Sequence, residues 1–225
     1  MTLDAPDERK LASAVQKGIW DCISLFTDAP PKGAKHNFGF DGYQHFANML
    51  TNTRNKNSWA KLFAPGRRMV AALAGYGGHP GLFQWITTFG AADGAERGLY
   101  ADFLDEAAVI LDKPALKEAG AQFRMAASAW NTFALATLPD DVPVFKEIRQ
   151  LQAESHNLLI DAGDDGIERR RAVKAKITSL REQACKDFPF AGDDVVQFRE
   201  GLVAHVLKIH DIERDASAAL QAAMG

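Results

Sequence analysis

The sequence is poor in cysteine, with only Cys22 and Cys185 among its 225 residues. Neither has another cysteine or a histidine at metal-binding spacing, so a zinc site or cluster built on thiolates is not expected. Two cysteines can form only one disulfide, so a small secreted fold held together by several disulfides is excluded as well. We predict that both cysteines are reduced thiols in a cytoplasmic protein.

The chain also has little net charge, −3, from 26 Lys and Arg against 29 Asp and Glu. Without a basic field it is not expected to bind nucleic acid or anionic lipid. No apolar run approaches the roughly 20 residues that span a bilayer, and the first ten residues lack the apolar segment of a signal peptide. The sequence therefore predicts a cytoplasmic protein with neither nucleic acid nor membrane as partner.

No stretch shows the period-two alternation of a β-strand, whereas apolar residues recur at helical spacing along the whole chain. We predict an all-α fold, a single orthogonal or bundle-like domain of about eight to ten helices over residues 1–225. The main helices are expected over residues 5–26, 40–50, 69–75, 82–90, 93–112, 114–138, 142–160, 167–187 and 193–223.

The helix expected over residues 93–112 carries the densest group of polar side chains. Asp93 and Glu96 have the spacing of a capping box at its start. Arg97 and Glu106 are nine residues apart, which places them on opposite sides of the helix. At least one of them must point towards another helix, and we predict buried or half-buried partners for both.

A glycine-rich segment precedes this helix, with Tyr76 and His79 in it and Phe83, Trp85 and Phe89 just after it. It lacks the preceding strand and the following Lys-Ser/Thr of a phosphate-binding loop, so an interhelical turn beside an aromatic cleft is predicted. Together with the central helix, it supplies the residues that we expect to bind substrate: Tyr76, His79, Phe83, Trp85, Arg97, Tyr100, Asp102 and Glu106.

Metal chemistry has one candidate motif, His210-Asp211-Ile212-Glu213, whose first and last residues have the spacing of a di-iron helix. No second motif accompanies it, because Glu154 and His156 are two apart and face different ways. We therefore predict no metal and no cofactor. Whether His79, His156, His205 or His210 approach one another is left open by the sequence.

Three segments together carry a family resemblance. They are His36-Asn37-Phe38-Gly39-Phe40 leading to Trp59, the central run from Arg97 to Ala108, and the helix from Phe123-Arg124 to Trp130. They resemble the helical C-terminal domain of butirosin biosynthesis protein H-like proteins, a domain of unknown function. The similarity is strongest over residues 7–138.

In that family the domain follows a papain-like domain whose cysteine transfers an acyl group from a carrier protein to an amine. No papain-like domain is present in this sequence, and Cys22 does not match its nucleophile. The resemblance implies a non-catalytic or accessory component that binds a small-molecule or acyl or peptidyl substrate in specialised amide or peptide metabolism. A separate papain-like or carrier protein would be its partner.

Two alternatives stay open. The first is a stand-alone helical enzyme, for acyl transfer or acid-base chemistry with Glu106, Asp102 or His79, or less favoured, a di-iron oxygenase. The second is a structural homodimer. Nothing in the sequence alone decides whether the protein is an enzyme.

Overall fold

A computed structural model describes residues 7–28, 31–34, 36–88 and 94–225. Within these residues the fold is all-α, with ten α-helices and no β-strand, which confirms the predicted class. The helices are α1 (Glu8–Leu25), α2 (Gly39–Thr51), α3 (Trp59–Leu62), α4 (Arg67–Ala74), α5 (Leu82–Thr87), α6 (Arg97–Ile110), α7 (Ala115–Thr137), α8 (Pro143–Asp161), α9 (Ile167–Lys186) and α10 (Asp193–Met224). A 3-10 helix, Gly163–Gly166, links α8 to α9.

Local chemistry explains several helix ends. The Asp7 side chain accepts hydrogen bonds from the backbone N–H groups of Arg9 and Lys10, and so caps α1. Pro143 is tolerated in the first turn of α8, where its missing N–H is not needed. Gly75 ends α4 with φ +80°, a conformation that glycine adopts without strain.

The start of α6 differs from the prediction. Asp93 lies outside the described residues, and the helix begins at Arg97 rather than at 93. Glu96 precedes the helix with φ +66° and makes no side-chain capping bond, so the expected capping box is wrong. The reason is that Gly94, Ala95 and Glu96 all have positive φ, which a right-handed helix cannot contain.

The buried apolar side chains form two clusters, and α7 and α10 contribute to both. The larger cluster includes Phe133 of α7 and Val206 of α10. In the smaller one Phe123 of α7 and Leu220 of α10 pack with the buried side chains of α1 and α6. The two long helices, α7 and α10, therefore connect the two clusters. That residues 1–225 form a single domain remains a prediction. None of the described helices is long and apolar enough to cross a membrane.

The last carbonyl of α4 fixes the positions of α8 and α9. The Ala74 carbonyl oxygen accepts hydrogen bonds from Gln152 Nε2 of α8, at 2.7 Å, and from Arg181 Nη2 of α9. Carbonyls in the last turn of a helix have no partner within it, and these side chains supply one. As a result α8 and α9 pack together beside the turn that carries His79.

Candidate functional site

Glu213 is an acidic side chain with no exposed surface, in the middle of α10. It shares the buried face of that helix with Ile209, Ala216 and Leu220, four residues before it and three and seven after it. A buried carboxylate requires partners, because leaving an unpaired charge in the interior is very costly. Its partners come from three other helices.

The first partner is Arg97, at the first position of α6. Arg97 Nε donates to Glu213 Oε1 at 2.7 Å and Nη2 donates to Oε2 at 3.2 Å. The guanidinium therefore binds both carboxylate oxygens in a bidentate ion pair. Arg97 Nη1 also donates to the carbonyl oxygen of Ala95 at 2.9 Å. Burial alone would lower the pKa of Arg97, but the Glu213 charge outweighs this and the pKa rises, so the guanidinium keeps its proton.

Two aromatic side chains complete the group, which we call the Glu213 cluster: Tyr43, Arg97, Trp130 and Glu213. Trp130 Nε1 donates to Glu213 Oε1 at 2.7 Å, and the Tyr43 hydroxyl donates to Oε2. Burial, followed by the charge of Glu213, raises the pKa of Tyr43, so its hydroxyl keeps its proton. The carboxylate thus uses its acceptor capacity to hold α2, α6, α7 and α10 together.

The turn before α6 positions the arginine. A Cβ on Gly94 would lie 2.7 Å from the backbone of Ala127, so α7 passes too close for any other residue there. Ala95 and Glu96 take left-handed conformations that are unfavourable for residues with side chains, at about 1–3 kcal/mol each. The Ala95 N–H donates to the Ile86 carbonyl at 3.2 Å and anchors this turn to α5.

Cys22 and Tyr100 lie next to the cluster. Burial raises the pKa of the Cys22 thiol, with Tyr100 and Arg97 opposing it, so the thiol is not activated as a nucleophile. Burial, then the Cys22 thiol, raises the pKa of Tyr100. The Tyr100 hydroxyl is buried and has no hydrogen-bond partner among the described residues. Cys22 and Cys185 are both free, as predicted.

A groove between α5, α7, α8 and α9 is the second candidate site. It consists of two adjoining cavities that share Thr88 and His156. The first, which we call the basic cavity, has a volume of about 420 Å³ and is lined by residues that include His79, Gln152, Arg170, Lys174 and Arg181. The second, the amide cavity, has a volume of about 770 Å³ and is lined in part by Asn131, Gln150 and Asn157. These volumes are typical of small-molecule sites.

The eight residues predicted to bind substrate are distributed over several places. His79 lines the basic cavity, and Phe83 is buried against the amide cavity. Tyr76 lies under the Arg67 guanidinium, 4.7 Å from ring centroid to Cζ, and Trp85 is 58% exposed. Phe89, the last member of the expected aromatic cleft, lies outside the described residues.

The four residues of α6 separate in the same way. Arg97 is in the Glu213 cluster and Tyr100 faces Cys22, so the prediction of a buried partner is confirmed for Arg97. It is wrong for Glu106, which is exposed and has no ion pair in the described part of the chain. Asp102 is exposed and pairs with Arg124 at 2.7 Å. Glu106 is exposed because it lies off the buried stripe of α6, which consists of Ala101, Leu104, Ala107 and Ala108.

The histidines also separate. His79 and His156 line one cavity, whereas His210 is buried against Phe40, with Nδ1 2.8 Å from Asp211 Oδ1. Burial, followed by Lys208, lowers the pKa of His205. Among the described residues no three His, Cys, Asp or Glu side chains are placed to hold a metal ion. Glu213 of the suspected di-iron motif is held by Arg97 instead.

The sequence analysis considered Glu213 only as a metal ligand, and it did not find the buried ion pair of Glu213 or the cavity-lining basic side chains of α9. A signal for Glu213 existed, since it continues the core stripe of Ile209, Ala216 and Leu220. A signal for α9 existed as well, because Arg170, Lys174 and Arg181 recur at four- and seven-residue spacing. The other walls of the basic cavity are formed by α8 and the turn at His79, and helical spacing in the sequence does not reveal that they lie opposite α9.

Comparison with known proteins identifies the family of this chain. A family model described as a domain of unknown function, DUF4872, matches residues 1–154. This chain belongs to the DUF4872 family. No curated protein and no solved structure matches it. In this DUF4872 protein, Tyr43, Arg97 and Trp130 lie in the matched part, whereas Glu213 and the cations of α9 lie beyond it.

Proposed function

We propose that this DUF4872 protein is an accessory helical component that binds a small-molecule, acyl or peptidyl substrate for a separate enzyme. The observation that carries the proposal is the groove, whose two adjoining cavities are open to a ligand and lined by polar side chains. The Glu213 cluster is the other polar centre, but its polar groups are not available to bind a ligand. There the carboxylate, guanidinium and hydroxyl are already paired with one another.

The metabolic setting is the finer part of the proposal. The resemblance of the segment from Arg97 to Ala108 to butirosin biosynthesis H-like proteins supports specialised amide or peptide metabolism. A papain-like or carrier protein would then be the partner. Genes encoded beside this one test that setting directly, since a neighbouring acyltransferase or carrier protein is the expected outcome.

Binding in the groove is tested with a substitution that fills it. Ala153 is an exposed residue of α8 that lines the amide cavity, so Ala153→Trp should block the cavity without disturbing the core. Ala172→Trp is the matched control, because Ala172 is exposed on α9 and does not line either cavity. Thermal unfolding is measured with a panel of amino acids, short peptides and acylated amines.

A ligand of the groove should raise the unfolding temperature of the wild type and of Ala172→Trp, because it binds only the folded state. It should leave Ala153→Trp unchanged. The proposal fails if no compound stabilises the wild type, or if every stabilising compound acts equally on Ala153→Trp.

One observation favours the alternative of a stand-alone enzyme. His79 and His156 line the same cavity together with Ser155, whereas the other suggested acid-base residues, Asp102 and Glu106, are not among its lining residues. An acid or base at His79 would show as turnover of an amide or ester that His79→Gln abolishes. Tight binding without turnover, retained in His79→Gln, would favour the accessory role.

A further inference from the structure

Three cations lie along one stripe of α9. Arg170, Lys174 and Arg181 are four and seven residues apart, spacings close to whole helical turns, and all three line the basic cavity. Gln152 and Ser155 of α8 face them, with His79 from the turn before α5. Among the described residues that line this cavity there is no aspartate or glutamate.

The neighbouring basic residues of α9 form ion pairs with acidic side chains. Arg169 pairs with Glu154 at 2.7 Å, Arg171 pairs with Glu168, and Lys176 pairs with Glu147. In the part of the chain that the structure describes, neither Arg170, Lys174 nor Arg181 has a carboxylate within ion-pair distance. The positive charge of α9 is thus compensated on its outer faces and uncompensated in the cavity.

Three polar atoms on the residues that line this cavity also lack hydrogen-bond partners among the described residues. Nε of Arg170, Nε of Arg181 and Oε1 of Gln152 are buried and unpaired among the described residues. Arg181 is held in place by the carbonyl oxygen of Ala74 and by Gln84 Oε1, which lies 3.3 Å from Nη2. Burial lowers the pKa of Arg181, the sign of a cation without compensating charge. Buried donors normally have acceptors, so the two unpaired Nε–H groups show that neither arginine has a compensating acceptor at that atom.

We propose that the basic cavity binds the oxyanion group, a phosphate or a carboxylate, of the groove's ligand; this inference rests on the proposed binding function. Arg170 makes no ion pair among the described residues, and its guanidinium can offer paired N–H groups to such an anion. Lys174 and Arg181 add positive charge, although Nη2 of Arg181 already donates to Ala74 and Gln84. The cavity of about 420 Å³ is larger than one anion requires, so the anion is the head of a larger molecule.

The amide cavity indicates what the rest of that molecule is. Its two cations, Arg149 and Lys146, share the single carboxylate of Asp140, so its charge is partly compensated internally. What remains for a ligand are the side-chain amides of Asn131, Gln150 and Asn157, which donate and accept hydrogen bonds. The ligand class is therefore an anionic head joined to a neutral body with amide or hydroxyl groups.

The test uses inorganic phosphate and acetate as separate probes. The Nε–H signals of arginine are followed by NMR in the full chain during each titration, at ionic strength held constant with sodium chloride. Saturable shifts of the Arg170 and Arg181 signals are expected with at least one probe. Saturation by phosphate alone assigns a phosphate head, saturation by acetate alone assigns a carboxylate, and saturation by both supports the shared oxyanion chemistry.

Three variants make the result specific. Arg170→Gln and Lys174→Gln should each raise the dissociation constant about tenfold, since each removes a charge-assisted contact. Lys174 is exposed, so its variant is expected to fold even if Arg170→Gln does not. Arg171→Gln is the matched control, because it removes the same charge from the next residue outside the cavity.

The proposal is overturned if neither probe gives a saturable shift, or if Arg171→Gln weakens binding as much as the cavity variants do. Its failure is distinguishable from failure of the binding function. A ligand that Ala153→Trp loses, in a protein that binds neither anion, would leave the binding function standing and remove the anion assignment.

Discussion

Arg97 and Glu213 are 116 positions apart in sequence, yet Nε of the first lies 2.7 Å from Oε1 of the second. The glutamate has no exposed surface, and the arginine side chain is 26% exposed. Tyr43 and Trp130 donate to the same carboxylate, so four helices meet at one charge. This pair joins α6 to α10.

The first prediction concerns that pair. Arg97→Ala and Glu213→Ala should each reduce the free energy of unfolding by about 3–5 kcal/mol, because each leaves a buried charge without its partner. The double variant should lose less than the sum of the two single losses. Urea unfolding measures all three.

The controls come from the same helix. Asp102→Ala removes an exposed pair with Arg124 and should cost about 0–1 kcal/mol. Glu106→Ala should lie within about 0.5 kcal/mol of the wild type, since Glu106 is exposed. Equal losses for Arg97→Ala and Asp102→Ala would contradict the role assigned to the cluster.

The second prediction concerns alkaline pH. The pKa of Tyr43 is raised in the folded protein, whereas in the unfolded chain it takes the ordinary value of about 10. Above that pH the unfolded state releases a proton that the folded state keeps, so stability falls as pH rises. The loss approaches about 1.4 kcal/mol per pH unit and is absent below pH of about 10.

Tyr43→Phe removes this proton, so the variant should be less stable at neutral pH but lose less stability on further alkalinisation. Urea unfolding at stepped pH, with phenolate absorbance recorded in parallel, gives the slopes. An identical pH slope for wild type and Tyr43→Phe would show that Tyr43 does not carry the effect.

The third prediction concerns Cys22. Burial raises the pKa of its thiol, so in the folded protein it should react with iodoacetamide more slowly than an unhindered cysteine at mildly alkaline pH. Denaturation should make both cysteines fully reactive. Mass spectrometry after brief alkylation locates the modified residue, and rapid labelling of Cys22 in the native protein would show an activated thiolate instead.

The fourth prediction concerns the turn that carries His79. A Cβ on Gly81 would overlap the backbone nitrogen of Gly75 and the carbonyl of Leu73, neither of which can move freely. Gly81→Ala should therefore destabilise the protein by about 1–3 kcal/mol through overpacking. Thermal and urea unfolding provide the measurement.

Gly18→Ala is the matched control for Gly81→Ala. Gly18 lies within α1, and apart from its own stretch of helix no described residue comes within 4 Å of its would-be Cβ, so alanine should stabilise the helix by about 0.5–1 kcal/mol. Opposite signs for the two variants are expected. A neutral Gly81→Ala would mean that the turn adjusts without cost.

Sequence alone determined the longer helices, because the hydrogen bonds of a helix are local and its apolar stripe repeats within a few residues. The four-residue helix α3 was not predicted. The predicted helix over residues 5–26 is observed as Glu8–Leu25, and the last helix, expected over 193–223, as Asp193–Met224. The predicted start of α6 was wrong because the backbone there adopts conformations that helical periodicity does not reveal. Three consecutive positive φ values at 94–96 moved the start of α6 to Arg97.

Tertiary structure alone decided which polar groups meet. Helical spacing placed Arg97 and Glu106 on opposite faces, but only the packing of α10 against α7 and α2 brought Glu213 to Arg97 and left Glu106 exposed. The cations of α9 were readable as a stripe, whereas the cavity needs α8 and the turn at His79 opposite them. Contacts between residues far apart in sequence depend on how helices pack, and no local periodicity encodes that arrangement.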